Sequence, residues 1–363
     1  MNYEKRLNIV IDYAIDSHYD IWNRQNKVWS EIKAHKYICL FGTGKFYRDL
    51  VGHIYTDRFE YVGDNDLKKI GTYIDGRKCL SPAEIEQMKD DIAVIIMVKN
   101  YDAVHRQLSE MGIHCYTIGE CVLNTYDRHY DDSWFMKKRS EIISTIQLFS
   151  DELSKEIYVE CICNRVAPQL ASKKFYELQQ PGEYFASDVF EINDSHQEFL
   201  VDCGAYIGDS IDDFVRVTNG NYGAVYAFEL DEKIFNILKE RTQGYQNIEY
   251  YNYGVSDEYS EFEYNYIQGT KSRRAKVDAI DNILTGKKVT YIKMDVETYE
   301  LKALEGAKTI ITTQQPKLCI SAYHYLSDLW EVPKKIKNLV PDYKLYLRHH
   351  SPCVWDTDCY ACR

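Results

Sequence analysis

The sequence predicts an α/β protein with two Rossmann-like units, of which the second and larger one carries a doubly wound sheet. Three observations lead to this prediction. The chain has 363 residues, more than one hydrophobic core usually organises. A strand, a glycine turn and a helix follow one another twice, around Gly42 and around Gly204. After the second turn, strand-like and helix-like segments alternate to the end of the chain.

The first unit is expected at residues 1–123 as a smaller Rossmann-like α/β domain. It starts with helical periodicity, and then a strand at Tyr37–Phe41, the turn Gly42-Thr43-Gly44 and a helix at Lys45–Tyr55 follow. Further strands are expected at residues 59–63, 92–98 and 114–118, and further helices at residues 82–89 and 101–111. This order predicts a small parallel unit.

A helical connector is expected at residues 124–193. The segment mixes charges, shows helical periodicity and has few strand signals. One helix is predicted to begin after Asp151 with Ser154 as its cap, and Pro181-Gly182 predicts a turn before the next unit.

The second unit, at residues 194–363, shows the alternation typical of a doubly wound sheet. Strands are expected at residues 199–202, 224–229, 248–253, 289–295, 318–323 and 343–347, with a terminal strand around Cys359. Helices are expected at residues 210–217, 232–241, 299–311 and 328–339. Aromatic and polar residues alternate between Tyr259 and Ile280, which predicts a β-hairpin inserted on this scaffold.

The turn between Asp202 and Ser210 is the main candidate for a ligand site. Gly204 and Gly208 would let the backbone approach a ligand closely. A pyrophosphate favours a tighter glycine pattern, whereas Asp202 and Asp209 put negative charge on both sides of this turn. The turn therefore favours a cationic ligand.

Glu229 supplies a second element of the same site. It ends the next predicted strand, about 20 residues beyond the turn, where related folds place an acid on ribose hydroxyls. S-adenosylmethionine has a ribose, an ammonium and a sulfonium but no phosphate, so it fits both the acid and the charge of the turn.

The segment Tyr291-Ile-Lys-Met-Asp-Val-Glu-Thr-Tyr-Glu-Leu-Lys-Ala-Leu-Glu-Gly-Ala307 resembles the signature of the FkbM family of methyltransferases. Residues 277–281, 316–324 and 343–350 are also similar to family segments, so the resemblance covers residues 198–363. It implies a class I methyltransferase fold, S-adenosylmethionine as cofactor, and O-methylation of a sugar or natural product. Thr298 stands where the family usually has glycine, so the turn into the next helix is expected to differ slightly.

The turn, the acid and the resemblance together define a set of candidate cofactor-binding residues. They are Asp202, Gly204, Ala205, Tyr206, Gly208, Asp209, Ser210, Glu229, Leu230, Gly254 and Asp295.

The candidate catalytic residues are Asp295, Glu297 and His324. Asp295 and Glu297 follow a central strand at the edge where open α/β sheets bind ligands, so Asp295 is expected to contact the cofactor or orient the acceptor, with Glu297 in support. The alternative is that both only cap the helix at Tyr299. His324 follows the next strand and suits a general base, although a lone histidine is more often structural.

Arg348 and His349 are the candidates for binding an anionic part of the acceptor, and a solvated strand end is the alternative. The cysteines Cys353, Cys359 and Cys362 lack the paired spacing of a zinc site, so no metal is expected.

Composition restricts the partners. The chain has 44 Lys and Arg against 56 Asp and Glu, a net charge of −12, which disfavours nucleic acid. No apolar run approaches the roughly 20 residues of a membrane span, and the N-terminal residues do not resemble a secretory signal. We therefore expect a cytoplasmic protein with a small-molecule or carbohydrate substrate, which could form a homo-oligomer.

Two other functions stay open at this point. One is an NAD-dependent oxidoreductase that uses the turn at Gly42, although a third glycine is missing there. The other is a non-catalytic binding module that has kept the cofactor fold.

Overall fold

The computed structural model describes residues 2–18, 21–50, 58–98, 101–117, 121, 130–192, 195, 197–264 and 273–363. The strands of its first sheet are β1 (Tyr37–Phe41), β2 (Tyr61–Gly63), β3 (Tyr73–Ile74), β4 (Arg77–Leu80), β5 (Ile92–Ile96) and β6 (Cys115–Thr117). Their order across the sheet is β3-β4-β2-β1-β5-β6. All neighbours are parallel except β3 and β4, a short antiparallel hairpin that the sequence analysis missed.

The helices of this first part whose bounds the structure describes are α1 (Tyr3–Asp16), α2 (Ile21–Ala34), α3 (Lys45–Leu50), α4 (Pro82–Glu86) and α5 (Asp102–Glu110). The predicted end of α3 at Tyr55 lies outside the described residues. The buried side chains of α1, among them Leu7 and Ile11, join the hydrophobic cluster of the second sheet and not that of the first.

The described part of the predicted connector contains three α-helices, α6 (Asp132–Thr145), α7 (Glu152–Val166) and α8 (Phe175–Leu178), and two short 3-10 helices at Ile146–Leu148 and Pro168–Leu170. The cap of α7 is Asp151, whose carboxylate accepts the N–H of Ser154 at 2.8 Å, so the prediction of Ser154 as cap is wrong. The Ser154 hydroxyl instead accepts the N–H of Leu347 at 2.9 Å and so ties α7 to the second sheet. The division of the chain at residues 123 and 193 stays a prediction.

The second sheet has seven strands: β7 (Phe199–Cys203), β8 (Ala224–Phe228), β9 (Ile248–Tyr251), β13 (Tyr291–Met294), β14 (Lys317–Ser321), β15 (Lys344–His349) and β16 (Thr357–Cys362). Their order is β15-β16-β14-β13-β7-β8-β9. Only β16 runs antiparallel to its neighbours. The predicted doubly wound α/β fold is thus confirmed, with β7 at the point where the strand order reverses.

Six helices accompany this sheet: α9 (Asp209–Val217), α10 (Glu232–Thr242), α11 (Ile280–Ile283), α12 (Glu300–Gly306), α13 (Lys308–Gln314) and α14 (Asp328–Leu339). The predicted single helix at residues 299–311 is two helices, which meet at Ala307. The predicted hairpin is present as β11 (Ser260–Tyr264) and β12 (Arg273–Asp278), and β10 (Gly254–Val255) pairs with β12.

One segment of the second unit packs into the first. Cys353 is buried in the same hydrophobic cluster as Ile38 and Val62 of the first sheet, and Trp355 packs against that cluster. Cys353 is therefore a core residue. None of the described helices combines the length and the apolar character that crossing a membrane requires.

Candidate active site

The candidate site lies where β7, β8, β13 and β14 end at their carboxyl edge. Because β7 is flanked by β13 and β8, the sheet order brings the turn after β7 next to Glu229 on one side and Asp295 on the other. Ligands bind at such an edge in open α/β sheets.

Gly204 has a φ of +75°, a backbone conformation that favours glycine. A Cβ on Gly204 would overlap the carbonyl oxygen of Asp295, and a Cβ on Gly208 would lie 2.7 Å from Cγ2 of Thr242. The close approach that the sequence analysis assigned to a ligand is therefore made, at both glycines, to the protein itself. Gly204 lets the β7 turn and the end of β13 meet.

Asp202 is neutralised by a buried lysine that the sequence analysis did not assign. Nζ of Lys293 lies 3.1 Å from a carboxylate oxygen of Asp202 and donates to the carbonyl of Gly204 at 2.7 Å. Burial alone would lower the pKa of Lys293, but Asp202 raises it above its usual value. Ser210 donates to the other oxygen of Asp202 at 2.6 Å. Asp202 is thus not the free acid that was expected to meet a cationic ligand.

Glu229 is buried at the end of β8. It accepts the backbone N–H of Tyr206 at 3.0 Å and that of Asp231 at 2.8 Å. Among the described residues, no lysine or arginine forms an ion pair with it. Burial raises the pKa of Glu229 to about 7, against the opposing effect of the two N–H groups. The carboxylate therefore has hydrogen-bond donors but no counter-charge.

The other candidate cofactor residues lie in the β7 turn and after β8 and β9. Ala205 is buried, whereas Tyr206 and Asp209 are exposed beside the turn. The side chain of Leu230 lies against Gly254, where an added Cβ would be 2.8 Å from its Cδ1.

Asp295 lies on the other side of the turn and is held by two tyrosines. Tyr184 donates to one carboxylate oxygen at 3.0 Å, and Tyr323 donates at 3.2 Å. Burial raises the pKa of Asp295, partly offset by His324 and Lys293. The ring of Tyr184 also lies 4.7 Å from Nζ of Lys293, so Tyr184 contacts both charged groups. The sequence analysis had placed only a turn near Tyr184.

His324 lies among three carboxylates. Its Nδ1 is 3.0 Å from Glu300, and its Nε2 is 3.4 Å from both Asp295 and Glu297. Burial alone would lower the pKa of His324, but the carboxylates, above all Glu300, raise it well above the usual value. The structure thus brings the three candidate catalytic residues together and adds Glu300 to them.

Glu297 and Thr298 both have positive φ angles, +53° and +82°. At the position where the related signature usually has glycine, Thr298 therefore adopts a conformation that favours glycine. Glu300 accepts the N–H of Val296 at 2.9 Å. The alternative that Asp295 only caps the next helix is not supported, because its two carboxylate oxygens accept from Tyr184 and Tyr323.

Further acids interact electrostatically with Asp295. Burial, with the nearby carboxylates, raises the pKa of Glu183 to about 6 and that of Asp356 and Asp358 well above the ordinary value. Glu183 lies in the connector, next to Tyr184, whereas Asp356 lies near the C-terminus, next to Trp355. These acids therefore come from distant parts of the chain.

Arg348 and His349 have structural partners away from this cluster. Arg348 is buried, and its guanidinium donates to Asp188 at 2.8 Å, to Asp151 at 2.7 Å and to Ser154 at 2.9 Å. His349 is buried against Phe175, and burial lowers its pKa to about 3. The structure contradicts the expected contact of Arg348 with an acceptor, because each of its guanidinium nitrogens already donates a hydrogen bond within the chain.

In the first unit, the carboxylate of Asp64 binds the backbone of the glycine turn. Asp64 accepts the N–H of Thr43 at 2.9 Å and lies 2.8 Å from Nζ of Lys69. Burial alone would raise the pKa of Asp64, but Lys69 and Thr43 lower it to about 2. A Cβ on Gly42 would overlap the side chain of Val98. An ionised carboxylate on this turn opposes the pyrophosphate that an NAD-dependent enzyme would place there.

Comparisons with known proteins agree with this fold. Residues 202–350 match the model of the methyltransferase FkbM domain, and residues 34–119 match the model named C2185-like, N-terminal. No curated protein matches the sequence.

Among solved structures, the chain is similar to a methyltransferase FkbM from Methylobacillus flagellatus KT. The TM-score is 0.71 at 23% identity, and the likeness covers 99% of each chain. A SAM-dependent methyltransferase from Aquifex aeolicus matches with a TM-score of 0.32 at 15% identity, over 52% of this chain and 95% of that one. The similarity to the Methylobacillus flagellatus structure shows that the two proteins share the fold of both units.

Proposed function

We propose that this protein, whose residues 202–350 match the methyltransferase FkbM domain, transfers a methyl group from S-adenosylmethionine to a hydroxyl of a sugar, nucleotide sugar or related small metabolite. The observation that carries the proposal is Glu229, a buried carboxylate beside the β7 turn with two N–H donors and no counter-charge among the described residues. A ligand with ribose hydroxyls and positive charge would satisfy it.

The charge of the site supports such a ligand. Lys293, the buried lysine of this edge, is engaged by Asp202 and by backbone carbonyls. That leaves Glu229 on one side of the turn and Asp295 on the other without a lysine or arginine in an ion pair among the described residues. Buried carboxylates in this number favour a positively charged occupant.

The residues of this edge fit S-adenosylmethionine. Glu229 would accept the ribose hydroxyls, Leu230 and Gly254 would flank the base, and Asp295 would face the charged end. When bound, the cofactor supplies a methyl group to the acceptor oxygen and leaves as the neutral thioether, while the hydroxyl proton stays for the protein to take up.

Asp295, Glu297 and His324 would take up the proton of the acceptor hydroxyl. Asp295 is fixed by the hydroxyls of Tyr184 and Tyr323, so it can hold the acceptor hydroxyl in one orientation. The Glu297 side chain is 65% exposed and so has access to solvent, whereas His324 is buried behind it. Both lie within reach of a proton released near Asp295.

The acceptor class rests on the resemblance of the signature segment to enzymes associated with O-methylation of sugars and natural products. The excess of acids over bases in the chain supports an acceptor other than nucleic acid. We also propose a cytoplasmic location.

The test is methyl transfer by the purified full chain. Methyl-labelled S-adenosylmethionine is incubated with a panel of sugars, nucleotide sugars and cell-extract metabolites, and label on an acceptor oxygen is the expected result. The variant His324→Ala should lower the rate by about 100-fold or more, because it removes a group that handles the proton. His114→Ala, an exposed histidine of the first unit, is the matched control and should leave the rate unchanged.

Three outcomes would count against the proposal. Label on nitrogen or carbon would contradict O-methylation. A larger melting-temperature increase with NAD than with S-adenosylhomocysteine would favour an oxidoreductase. Cofactor binding with no transfer to any acceptor, unchanged by Asp295→Ala and His324→Ala, would favour a binding module.

A further inference from the structure

We infer that Asp295, Glu300 and His324 form a binding site for a divalent cation, Mg²⁺ or Mn²⁺, beside the proposed cofactor pocket. The three side chains, named here the triad, each offer one ligand atom, and these atoms lie within 4.8 Å of one another. The inference reverses the expectation of no metal, which rested on the cysteines.

The donor set matches such a cation. Asp295 supplies a hard oxygen ligand of the kind that Mg²⁺ and Mn²⁺ prefer, and His324 supplies a nitrogen ligand that Mn²⁺ accepts. An imidazole binds a cation through one ring nitrogen, and metal–ligand bonds of about 2.1 Å place neighbouring ligand atoms about 3.0–3.4 Å apart. Nε2 of His324 is 3.4 Å from Asp295, which fits this separation, whereas Nδ1, on the other side of the ring, is 3.0 Å from Glu300 and would donate to it. Glu300 would thus orient the ring, as a carboxylate commonly does for a metal-bound histidine.

Charge and distance favour a cation over a proton alone. Three carboxylates face the one imidazole of His324, counting Glu297, so protonation of the ring still leaves an excess of negative charge. Both contacts of Nε2, at 3.4 Å, exceed the usual N–H···O length of about 2.7–3.2 Å. A divalent cation between these groups would balance the charge.

The surroundings of the triad are those of a prepared metal site. Tyr184 and Tyr323 donate to Asp295, and the N–H of Val296 donates to Glu300. Such contacts orient metal ligands and are a regular part of metal sites. His324 and Glu300 are each 1% exposed, whereas the Asp295 side chain is 19% exposed. One side of the triad thus stays open for a further ligand.

The role of the cation rests on the proposed function. A cation at the open side would bind the acceptor oxygen and lower the pKa of its hydroxyl group, so that the proton leaves more easily. His324 would then be a ligand, and the exposed carboxylate of Glu297 would take the proton. A vicinal diol of a sugar, which offers two oxygen atoms to one cation, is the acceptor that fits best.

The test measures Mn²⁺ binding without measuring catalysis. The full chain, saturated with S-adenosylhomocysteine, is titrated with Mn²⁺, and free Mn²⁺ is followed by electron paramagnetic resonance. One Mn²⁺ should bind per chain, and Mg²⁺ should displace it. Glu300→Gln and Asp295→Asn should each weaken binding by at least about tenfold. Glu232→Gln, which removes an exposed carboxylate of α10, is the control and should not change binding.

The outcomes separate this inference from the proposed function. If the chain binds S-adenosylhomocysteine but takes up no Mn²⁺, the inferred metal site is wrong and the proposed function stands. The same holds if all three variants bind Mn²⁺ as well as the wild type does. If Mn²⁺ binds and S-adenosylhomocysteine does not, the site stands and the proposed function fails. Circular dichroism checks the folding of each variant. If Glu300→Gln does not fold, the Mn²⁺ affinity of Asp295→Asn, at a partly exposed position, decides whether the metal site exists.

Discussion

The two glycine turns of this chain are built alike but differ in the charge beside them. In each, an acid that follows the next strand accepts a backbone N–H of the turn: Asp64 that of Thr43, and Glu229 that of Tyr206. Asp64 also pairs with Lys69, and its pKa is lowered to about 2. Glu229 has no such partner among the described residues, and burial raises its pKa to about 7.

This difference teaches which turn is prepared for a ligand. A buried carboxylate without a counter-charge is costly, and it persists where a ligand or a reaction uses it. The Asp64 carboxylate is already satisfied by a cation of its own domain, so the first turn gains little from a ligand. Strand, glycine turn and helix occur in both places, and only the partner of the acid distinguishes them.

The largest expected effect concerns the glycines of the two turns. Gly204→Ala should lower the free energy of unfolding by at least about 3 kcal/mol, because φ is +75° and the new Cβ would overlap the carbonyl of Asp295. Gly44→Ala, with nothing within 4 Å of its Cβ, should change it by less than about 0.5 kcal/mol. Urea unfolding followed by fluorescence measures both. Equal effects would show that the two turns are packed alike.

The next effect concerns the two acids. Glu229→Ala should weaken S-adenosylhomocysteine binding by roughly 10- to 100-fold, since hydrogen bonds to a charged group contribute about 1.5–3 kcal/mol. Asp64→Ala should leave the dissociation constant within about twofold of the wild type, because Asp64 contacts only its own unit. Isothermal titration calorimetry gives both constants. A loss of affinity in Asp64→Ala would mean that the first unit shares the cofactor site.

Much of the fold could be predicted because strands and helices leave local patterns. The helix at Asp328–Leu339 and the strand at Tyr37–Phe41 agree with the predicted bounds, since each has its own periodicity. The β3–β4 hairpin was missed because β3 has only two residues, Tyr73 and Ile74, too few for a pattern. The α/β fold is confirmed, and residues 202–350 match the methyltransferase FkbM domain, in the region where the resemblance was found.

The site could be predicted only in part, since its partners are distant in the chain. Asp295, Glu297 and His324 follow neighbouring strands, so the order of strands brings them together. Tyr184, more than 100 residues before Asp295, leaves no periodic signal. Lys293 is a charged residue within a buried strand, a pattern that signals a buried ion pair. This signal could have predicted the pair with Asp202. The roles of the site residues stay predictions.

The last comparison is a pH dependence that separates Glu229 from Asp64. The pKa of Glu229 is about 7 in the folded protein, above its ordinary value of 4.5. Ribose hydroxyls donate to the ionised form, so binding of S-adenosylhomocysteine should release a proton. The association constant should then rise by up to about tenfold per pH unit between pH 5 and 7 and level off above that range. Calorimetry in buffers of different ionisation enthalpy measures the affinity and the proton release.

The stability of the ligand-free protein should change in the opposite direction. A raised carboxyl pKa contributes stability that is present below about pH 4.5 and lost as the pH rises through about 7. The lowered pKa of Asp64 contributes stability that is present above about pH 3.8 and lost only as the pH falls through about 2, so it adds no slope near neutral pH. Glu229→Gln should therefore flatten both profiles between pH 5 and 7, and Asp64→Asn should flatten neither. If Glu229→Gln keeps the wild-type dependence of affinity on pH, another group controls binding, and Glu229 is not the acid that holds the ligand.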